Sequence, residues 1–460
     1  MSIAAPQLSA ELFVLPLDDQ PDAYVVYAPL RRAAFVASLA VVNALADLRD
    51  GRSADIDPDL TDFLRRLEIL DAGPEPSPVT PPRTGDPEPT AVTLFLTTAC
   101  NLRCTYCYAA AGDTPARHMP HAVAQRGIDF VAANARRLAK PGIELTFHGG
   151  GEPTVNWRTL TAALDYARTI AAAPGESPLA VTASLATNGV LTDAQIDWIV
   201  ANLDAASVSF DGLPAAHDRH RLTVAGQGSS DRVLHTLKRF DDAGFPYGVR
   251  MTVTADQIAT LPDSVDFICR TLRPTRVQAE PAFRMGRGLD APSAETDAFI
   301  AAFHRARTRA RAYGHELTYS AARLGTITTH FCELSQDLFA ITPDGNVSAC
   351  YEAFSEQSPV ADKLFYGQPA ADVSAGYRFN LPVLQSLRGQ TVDARPFCQG
   401  CFAKYTCAGD CYHKSLTTAG DATIAGSDRC HITRALTLDQ ILSKIEESGG
   451  IAWHEPASTA

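Results

Sequence analysis

The sequence predicts an α/β protein in which a small N-terminal α+β unit and a cysteine-rich C-terminal unit flank a region of alternating strands and helices. Three observations carry this. Six apolar strand segments alternate with amphipathic segments after residue 91, a proline-rich run separates them from the first seventy residues, and seven cysteines crowd the region beyond residue 330.

Taken in order, residues 23–27 (Ala-Tyr-Val-Val-Tyr) read as a strand that leads through Pro29 into one amphipathic stretch over residues 33–48. The Asp50-Gly51 turn follows, then a second helix over residues 60–70, and the unit closes at residue 72. Residues 73–90 contain seven prolines and almost no apolar bulk, so they cannot form a core and are expected to run extended as a linker. Strands are expected at 92–96, 143–147, 180–186, 206–210, 247–253 and 276–280, with helices such as 122–138 and 157–171 between them. Alternation of this kind over residues 91–315 implies parallel pairing through right-handed crossovers. Parallel barrels place their reactive site at the C-terminal strand ends. Residues 316–445 make the cysteine-rich unit, and residues 446–460 are expected as a flexible tail.

A net charge of -12 argues against a nucleic-acid partner, because neutralising phosphate needs clustered Lys and Arg and no basic tract occurs. No apolar run is long enough for a transmembrane span, so no membrane partner is expected, and the first residues lack the basic start and apolar core of a signal peptide. Eleven cysteines, an odd number, in a chain without such a signal suit a reducing, cytoplasmic compartment where thiols serve metals rather than disulfides.

Three of them, Cys100, Cys104 and Cys107, fall on one short loop after the first of the six strands. Iron-sulfur clusters normally take four cysteines, so a compact set of three holds three corners of a cubane and leaves one iron without a protein ligand. A structural zinc loop is the alternative. The spacing of three and then two residues, with Tyr106 just before the last cysteine, resembles the radical S-adenosylmethionine superfamily. That resemblance implies a partial (β/α)6 radical SAM barrel, a [4Fe-4S] cluster on the three cysteines, and S-adenosylmethionine chelated by the open iron. It also implies cofactor contacts. His148-Gly149-Gly150-Gly151-Glu152-Pro153 is similar to the family's Gly-Gly-Glu-Pro element, giving Gly150, Gly151 and Glu152; Thr187-Asn188-Gly189 gives Asn188. Ser209-Phe210-Asp211-Gly212 and the following His217-Asp218-Arg219-His220-Arg221 give Ser209 and Arg221, the arginine suited by its planar fork to a carboxylate. His148 and His220 are read as structural, and Glu280 and Arg284 as substrate contacts.

Beyond residue 330, Cys332, Gly345 and Cys350 are followed by Cys398, Cys401, Cys407, Cys411 and Cys430. The pattern resembles the SPASM domain, which implies two auxiliary [4Fe-4S] clusters, hence three in all. Cys398, Cys401, Cys407 and Cys430 would hold the outer cluster, and Cys332, Cys350 and Cys411 the inner one, whose fourth ligand stays open between water, another side chain and substrate. Cys269 alone remains, in an apolar helical run where it serves as a small hydrophobe.

SPASM enzymes act mostly on peptides or proteins, and the order of elements in residues 1–72 resembles the winged-helix peptide-recognition units fused to enzymes that modify ribosomally made peptides. The sulfatase-maturase branch has an Asp after the Gly-x4-Cys cysteine where this chain has Tyr351, and a further upstream cysteine that this chain lacks. The expectation is therefore a peptide maturase that crosslinks a precursor peptide through a carbon-carbon or thioether bond, with formylglycine formation or epimerisation as alternatives. An electron-transfer or scaffold protein is the contrasting class. Tyr351, Glu352 and Asp410 are the expected catalytic residues, the two carboxylates as bases, and a flavodoxin- or ferredoxin-type reductant the expected partner.

Overall fold

The computed structural model describes residues 7–17, 20–52, 57–78, 83–290, 292, 294–372, 376–419 and 427–455. Its first unit is a sheet of β1 (Phe13–Pro16), β2 (Ala23–Ala28) and β3 (Ala33–Ser38), followed by α1 (Leu39–Arg49) and α2 (Pro58–Arg66). The single amphipathic stretch expected over residues 33–48 is therefore split: its first six residues pair antiparallel along the whole of β2, from Ala23 opposite Ser38 to Ala28 opposite Ala33. Pro29–Arg31 and the left-handed Arg32 (φ 49°) fold the chain back in a tight turn, and hairpin pairing overrides the helix propensity of the alanines. One face of this sheet packs on α1 and α2 through Val26, Phe35, Leu45 and Leu64. The other face packs through Val25, Tyr27 and Ala34 on Phe402 and Ile441 of the cysteine-rich unit.

The proline-rich run is anchored, not free. Arg388 donates to the Gly85 carbonyl (2.8 Å), Arg83 to the Gln336 carbonyl (3.0 Å) and Asn134 to the Pro89 carbonyl (3.0 Å). A chain that cannot build its own core is here held by side chains of the units on both sides; residues 79–82 lie outside the described residues.

The central unit alternates as expected: β4 (Ala91–Phe95), α3 (His121–Arg137), β5 (Gly142–His148), α4 (Trp157–Ala171), β6 (Ala180–Thr187), α5 (Asp193–Asn202), β7 (Ala205–Ser209), α6 (Pro214–His220), α7 (Ser230–Ala243), β8 (Tyr247–Val253), α8 (Leu261–Thr271), β9 (Arg276–Pro281) and α9 (Thr296–Ala312). Strands β4 to β9 pair in sequence order and in parallel. Outward side chains such as Leu145, Leu185, Val208 and Val249 lie in one core with the inner faces of the helices. Cys269 on α8 is part of that core, at 6% exposure. Gly244 ends α7 in the left-handed conformation (φ 62°), a position where a side chain is strained.

The boundary expected at residue 315 is crossed by the sheet. A short β10 (Leu317–Thr318) adds parallel to β9, and β11 (Ala340–Ile341) adds parallel to β4 at the other edge. From β11 the sheet continues antiparallel through β12 (Val347–Ser348), β13 (Phe365–Pro369) and β14 (Tyr377–Phe379), giving eleven strands in an open arrangement. Two-residue strands carry too little pattern to be read from sequence. The expected flexible tail is also corrected. The C-terminal helix (Asp428–Glu447) turns at Gly449 and Gly450, and β15 (Ala452–His454) pairs antiparallel with β3. Trp453 is buried there at 3% exposure, and burying that indole holds the chain end to the N-terminal sheet. Residues 456–460 lie outside the described residues. No helix among the described residues is long and apolar enough to cross a membrane.

Candidate active site

The loop carrying Cys100, Cys104 and Cys107 sits directly beyond the C-terminal end of β4 and is fixed by its backbone. Arg103 N–H donates to the Leu222 carbonyl (2.6 Å), and Thr105 N–H to the His220 carbonyl (3.0 Å). Arg287 clasps it from outside, donating to the Cys104 carbonyl (2.6 Å) and the Ala111 carbonyl (3.0 Å) while pairing with Asp113 (2.7 Å). The three thiols lie close enough to perturb one another, and burial pushes Cys100 up to about 12 and Cys104 to about 11. Thiols so disposed stay protonated unless a cation takes the proton's place, which is what iron does.

The glycine-rich turn after β5 is pressed on this loop. Gly151 N–H donates to the Thr97 carbonyl (3.0 Å) and Glu152 N–H to the Ala99 carbonyl (2.9 Å). A methyl group on Gly151 would stand 2.1 Å from the Ala99 oxygen, and one on Gly150 would stand 2.3 Å from the Phe354 ring. Gly151→Ala should therefore displace the cysteine loop, and iron retained after anaerobic reconstitution should fall. Gly325→Ala, where the added methyl meets open space, should leave iron unchanged. Glu152 faces inward. Its carboxylate accepts from Thr154 Oγ1 (2.8 Å), Thr187 Oγ1 (2.9 Å) and the Asn188 N–H (2.7 Å), and burial raises its pKa against those bonds. Asn188 in turn donates to Asn101 Oδ1 (2.7 Å) and lies 3.7 Å from Cys100 Sγ. These two residues tie strands β5 and β6 to the cysteine loop.

Arg221 departs from the expectation of an open fork. Its guanidinium is engaged by Asp211, with Nε and Nη2 donating at 2.9 and 3.1 Å, and it lies 5.2 Å over the Tyr106 ring. Tyr106 donates its hydroxyl to the same carboxylate, as does Thr252 N–H (3.0 Å). Burial alone pushes Asp211 up, but Arg221 overrides it and holds the carboxyl below its ordinary range. Arg221 and Tyr106 thus brace the loop from beneath. Ser209 ends β7, half-buried and in register with Arg250 of β8.

The seven later cysteines fall into two groups. Cys398, Cys401, Cys407 and Cys430 line one cavity of about 220 Å³. Cys332, Cys350 and Cys411 lie together, each within electrostatic reach of another. Among the described residues no three His, Cys, Asp or Glu side chains converge on a point as a single ion requires. His413, absent from the sequence-based expectations, places Nδ1 3.3 Å from Cys350 Sγ.

The three expected catalytic residues part company. Tyr351 packs tilted against the His148 ring, centroids 5.1 Å apart, and donates to Glu333 Oε2 (3.1 Å). Glu352 stands beside Cys350, 3.8 Å from both His413 Nδ1 and Lys414 Nζ. Burial raises its pKa, Lys414 and then His413 act against that, and the net direction is down. Asp410 is not poised as a base: it is buried and takes a fork from Arg429 at 2.8 and 2.9 Å, and the arginine prevails over burial to hold it ionised. Glu280 belongs to the same group, accepting from Ser320 N–H (2.7 Å) and lying 3.7 Å from Arg429, while Arg284 donates to the Leu289 carbonyl (2.8 Å). His148 is neutral, pushed down to about 4 by burial and then by Arg250, and His220 joins Asp256 (3.1 Å). Asp211, Arg250 and Arg287 were missed, since nothing in a lone Asp or Arg marks its partner.

Against known proteins, residues 94–268 match the Radical SAM superfamily. Curated relatives include a GTP 3',8-cyclase of Pectobacterium atrosepticum, 31% identical over 157 residues (33% of this chain, 42% of that protein). Mycofactocin maturase MftC of Mycolicibacterium smegmatis is 28% identical over 209 residues (44% and 47%). The chain thus matches less than half the length of these relatives. Among solved structures, anSMEcpe with bound AdoMet and Cp18Cys peptide superposes with a TM-score of 0.60 at 16% identity, covering 78% of this chain and 98% of that one. Streptococcus suis SuiB bound to precursor peptide SuiA gives 0.51 at 13%, covering 92% and 99%. At such identities the likeness is one of fold. Joined to the family match and to the cysteine loop at the end of β4, it identifies the central unit of this chain as a Radical SAM superfamily domain.

Proposed function

We propose that the protein is a radical S-adenosylmethionine enzyme that matures a ribosomally made precursor peptide. One observation carries the reading: the three-thiol loop at the barrel mouth and the inner cysteines belong to one neighbourhood, since Tyr108 of the loop lies 6.2 Å from the Phe354 ring and His148 lies 5.1 Å from Tyr351, the residue after Cys350. Cys100, Cys104 and Cys107 hold the first [4Fe-4S] cluster, Cys398, Cys401, Cys407 and Cys430 the outer auxiliary cluster, and Cys332, Cys350 and Cys411 the inner one. When bound, these cofactors would supply radical hydrogen-atom abstraction and a sink for one electron. The chain's own part is positional. Glu152 and Asn188 fix the loop, Tyr106 and Arg221 support it through Asp211, and Glu352 is the carboxylate placed to take a proton from substrate.

SuiB has been solved with its precursor peptide SuiA, and the mycofactocin maturase also matches, which supports a peptide substrate here. The N-terminal sheet with α1 and α2 is the peptide-docking unit, and a flavodoxin- or ferredoxin-type protein in the cytoplasm is the reductant. Intramolecular carbon-carbon or thioether crosslinking is the favoured outcome because each is a net two-electron oxidation. The test is coexpression with the small peptide encoded beside this gene, followed by mass spectrometry and assay of 5'-deoxyadenosine. A peptide lighter by two hydrogens is expected. An unaltered mass with inverted stereochemistry replaces crosslinking by epimerisation, and no 5'-deoxyadenosine under reducing conditions overturns the reading.

A further inference from the structure

The C-terminal helix (Asp428–Glu447) enters the outer cysteine set with Cys430 and carries Thr433 three residues on, so the two share one face of the helix. Thr433 lines the same cavity of about 220 Å³ as Cys398, Cys401, Cys407 and Cys430. It is 2% exposed, and its hydroxyl has no hydrogen-bond partner among the described residues. A threonine inside a helix commonly turns its hydroxyl onto the carbonyl four residues back. Thr161, Thr169, Thr308 and Thr417 of this chain all do so. Thr433 has the Arg429 carbonyl at that position and makes no bond to it.

A buried hydroxyl without a partner is costly, and native structures keep one where a further group meets it. Polar neighbours on the cavity wall do not serve. Asp410 is forked by Arg429 and takes the Cys411 N–H (2.7 Å), while Lys404 is turned to Glu11 (3.1 Å). The acceptors left around this space are the cysteine sulfurs and whatever they bind. Four thiols on one cavity, with an uncommitted donor on its wall, fit the [4Fe-4S] group of the proposed reading. Thr437 gives the internal comparison. It lies one turn further along the same helix, is 0% exposed and equally unpartnered, but does not line the cavity.

We propose that Thr433 donates its hydroxyl to a sulfur of the outer auxiliary cluster and thereby sets its reduction potential. The inference rests on the proposed function for the presence of that cluster. Reduction adds negative charge to the cluster, and a hydrogen bond to its sulfur stabilises the more negative form, so the donor raises the potential. The outer cluster is thus fitted to receive the electron removed from the substrate.

The test is a potentiometric titration of the anaerobically reconstituted holoprotein followed by electron paramagnetic resonance, with the outer cluster's signal assigned as the one lost in Cys398→Ala. Thr433→Val keeps the shape and removes the donor. At the wild-type midpoint its ratio of reduced to oxidised outer cluster should fall about threefold to tenfold, the range set by one hydrogen bond of ordinary net strength, where tenfold corresponds to about 59 mV for one electron. Thr433→Ala should show the same fall, which guards against a defect peculiar to valine. Thr433→Ser, which restores the hydroxyl, and Thr437→Val should both titrate with wild type. Coincident midpoints in wild type, Thr433→Val and Thr433→Ala, with iron at about twelve atoms per chain in all three, overturn the proposal alone, as does an equal shift in Thr437→Val. Wild type that reconstitutes to about eight irons, with no signal lost in Cys398→Ala, removes the outer cluster from the proposed function and this inference with it.

Discussion

Cys104→Ala is expected to abolish release of 5'-deoxyadenosine and to lower iron from about twelve to about eight atoms per chain, the difference being one cubane of three. The size of the effect follows from how the loop is built. On the proposed reading three thiols are the whole protein donor set for this cluster, and two of them would not hold it at a site open to a fourth, exogenous ligand. The scaffold around them is independent of the thiol: Arg287 reaches the Cys104 carbonyl, and the loop's N–H groups bond to residues 220 and 222, all through the backbone. The variant should thus fold and keep both auxiliary clusters, which optical absorption and iron analysis together would show. Retention of twelve irons would remove Cys104 from the ligand set.

Asp410→Ala is expected to destabilise the protein by about 3–5 kcal/mol, the loss typical of removing one member of a buried ion pair. Arg429 would be left buried with only Glu280, 3.7 Å away, to meet its charge. The Asp410 carboxyl is held below its unfolded value, so its stabilising contribution is complete above about pH 4 and declines as pH falls through the folded value. Thermal denaturation of the holoprotein, followed from about pH 8 to below about pH 4, measures both. A catalytic base would behave otherwise: the melting temperature would stay put while peptide modification ceased. Glu352→Gln is the contrasting variant, expected to slow modification while leaving release of 5'-deoxyadenosine in place.

Much of this architecture is legible in the chain because it depends on periodicity and spacing. The six parallel strands follow from apolar segments with β-branched residues, and β8 spans the residues expected of it because Tyr247–Val253 alternates buried and lumen-facing side chains without interruption. The cysteines announce themselves by number. What escaped the sequence has a common physical character: it is set by partners far along the chain. Residues 33–38 are alanine-rich and suit a helix until β2 offers them a ladder, and β15 has three residues whose strand state depends wholly on β3. Arg221 looks like a free fork until Asp211, ten residues earlier, occupies it. The proline run was legible as lacking a core but not as being held by Arg83, Asn134 and Arg388.

The central claim is that the loop after β4 presents an iron free to take the cofactor, and electron paramagnetic resonance tests it most directly. Anaerobically reconstituted protein lacking both auxiliary sets, with the later cysteines replaced by alanine, leaves one reducible cluster, and wild type serves alongside to guard against loss of the fold. Reduced with dithionite, its signal should shift in g-values when S-adenosylmethionine is added, because the amino and carboxylate groups enter the coordination of one iron. A signal that the cofactor leaves unmoved, in both the stripped variant and wild type, would contradict the account.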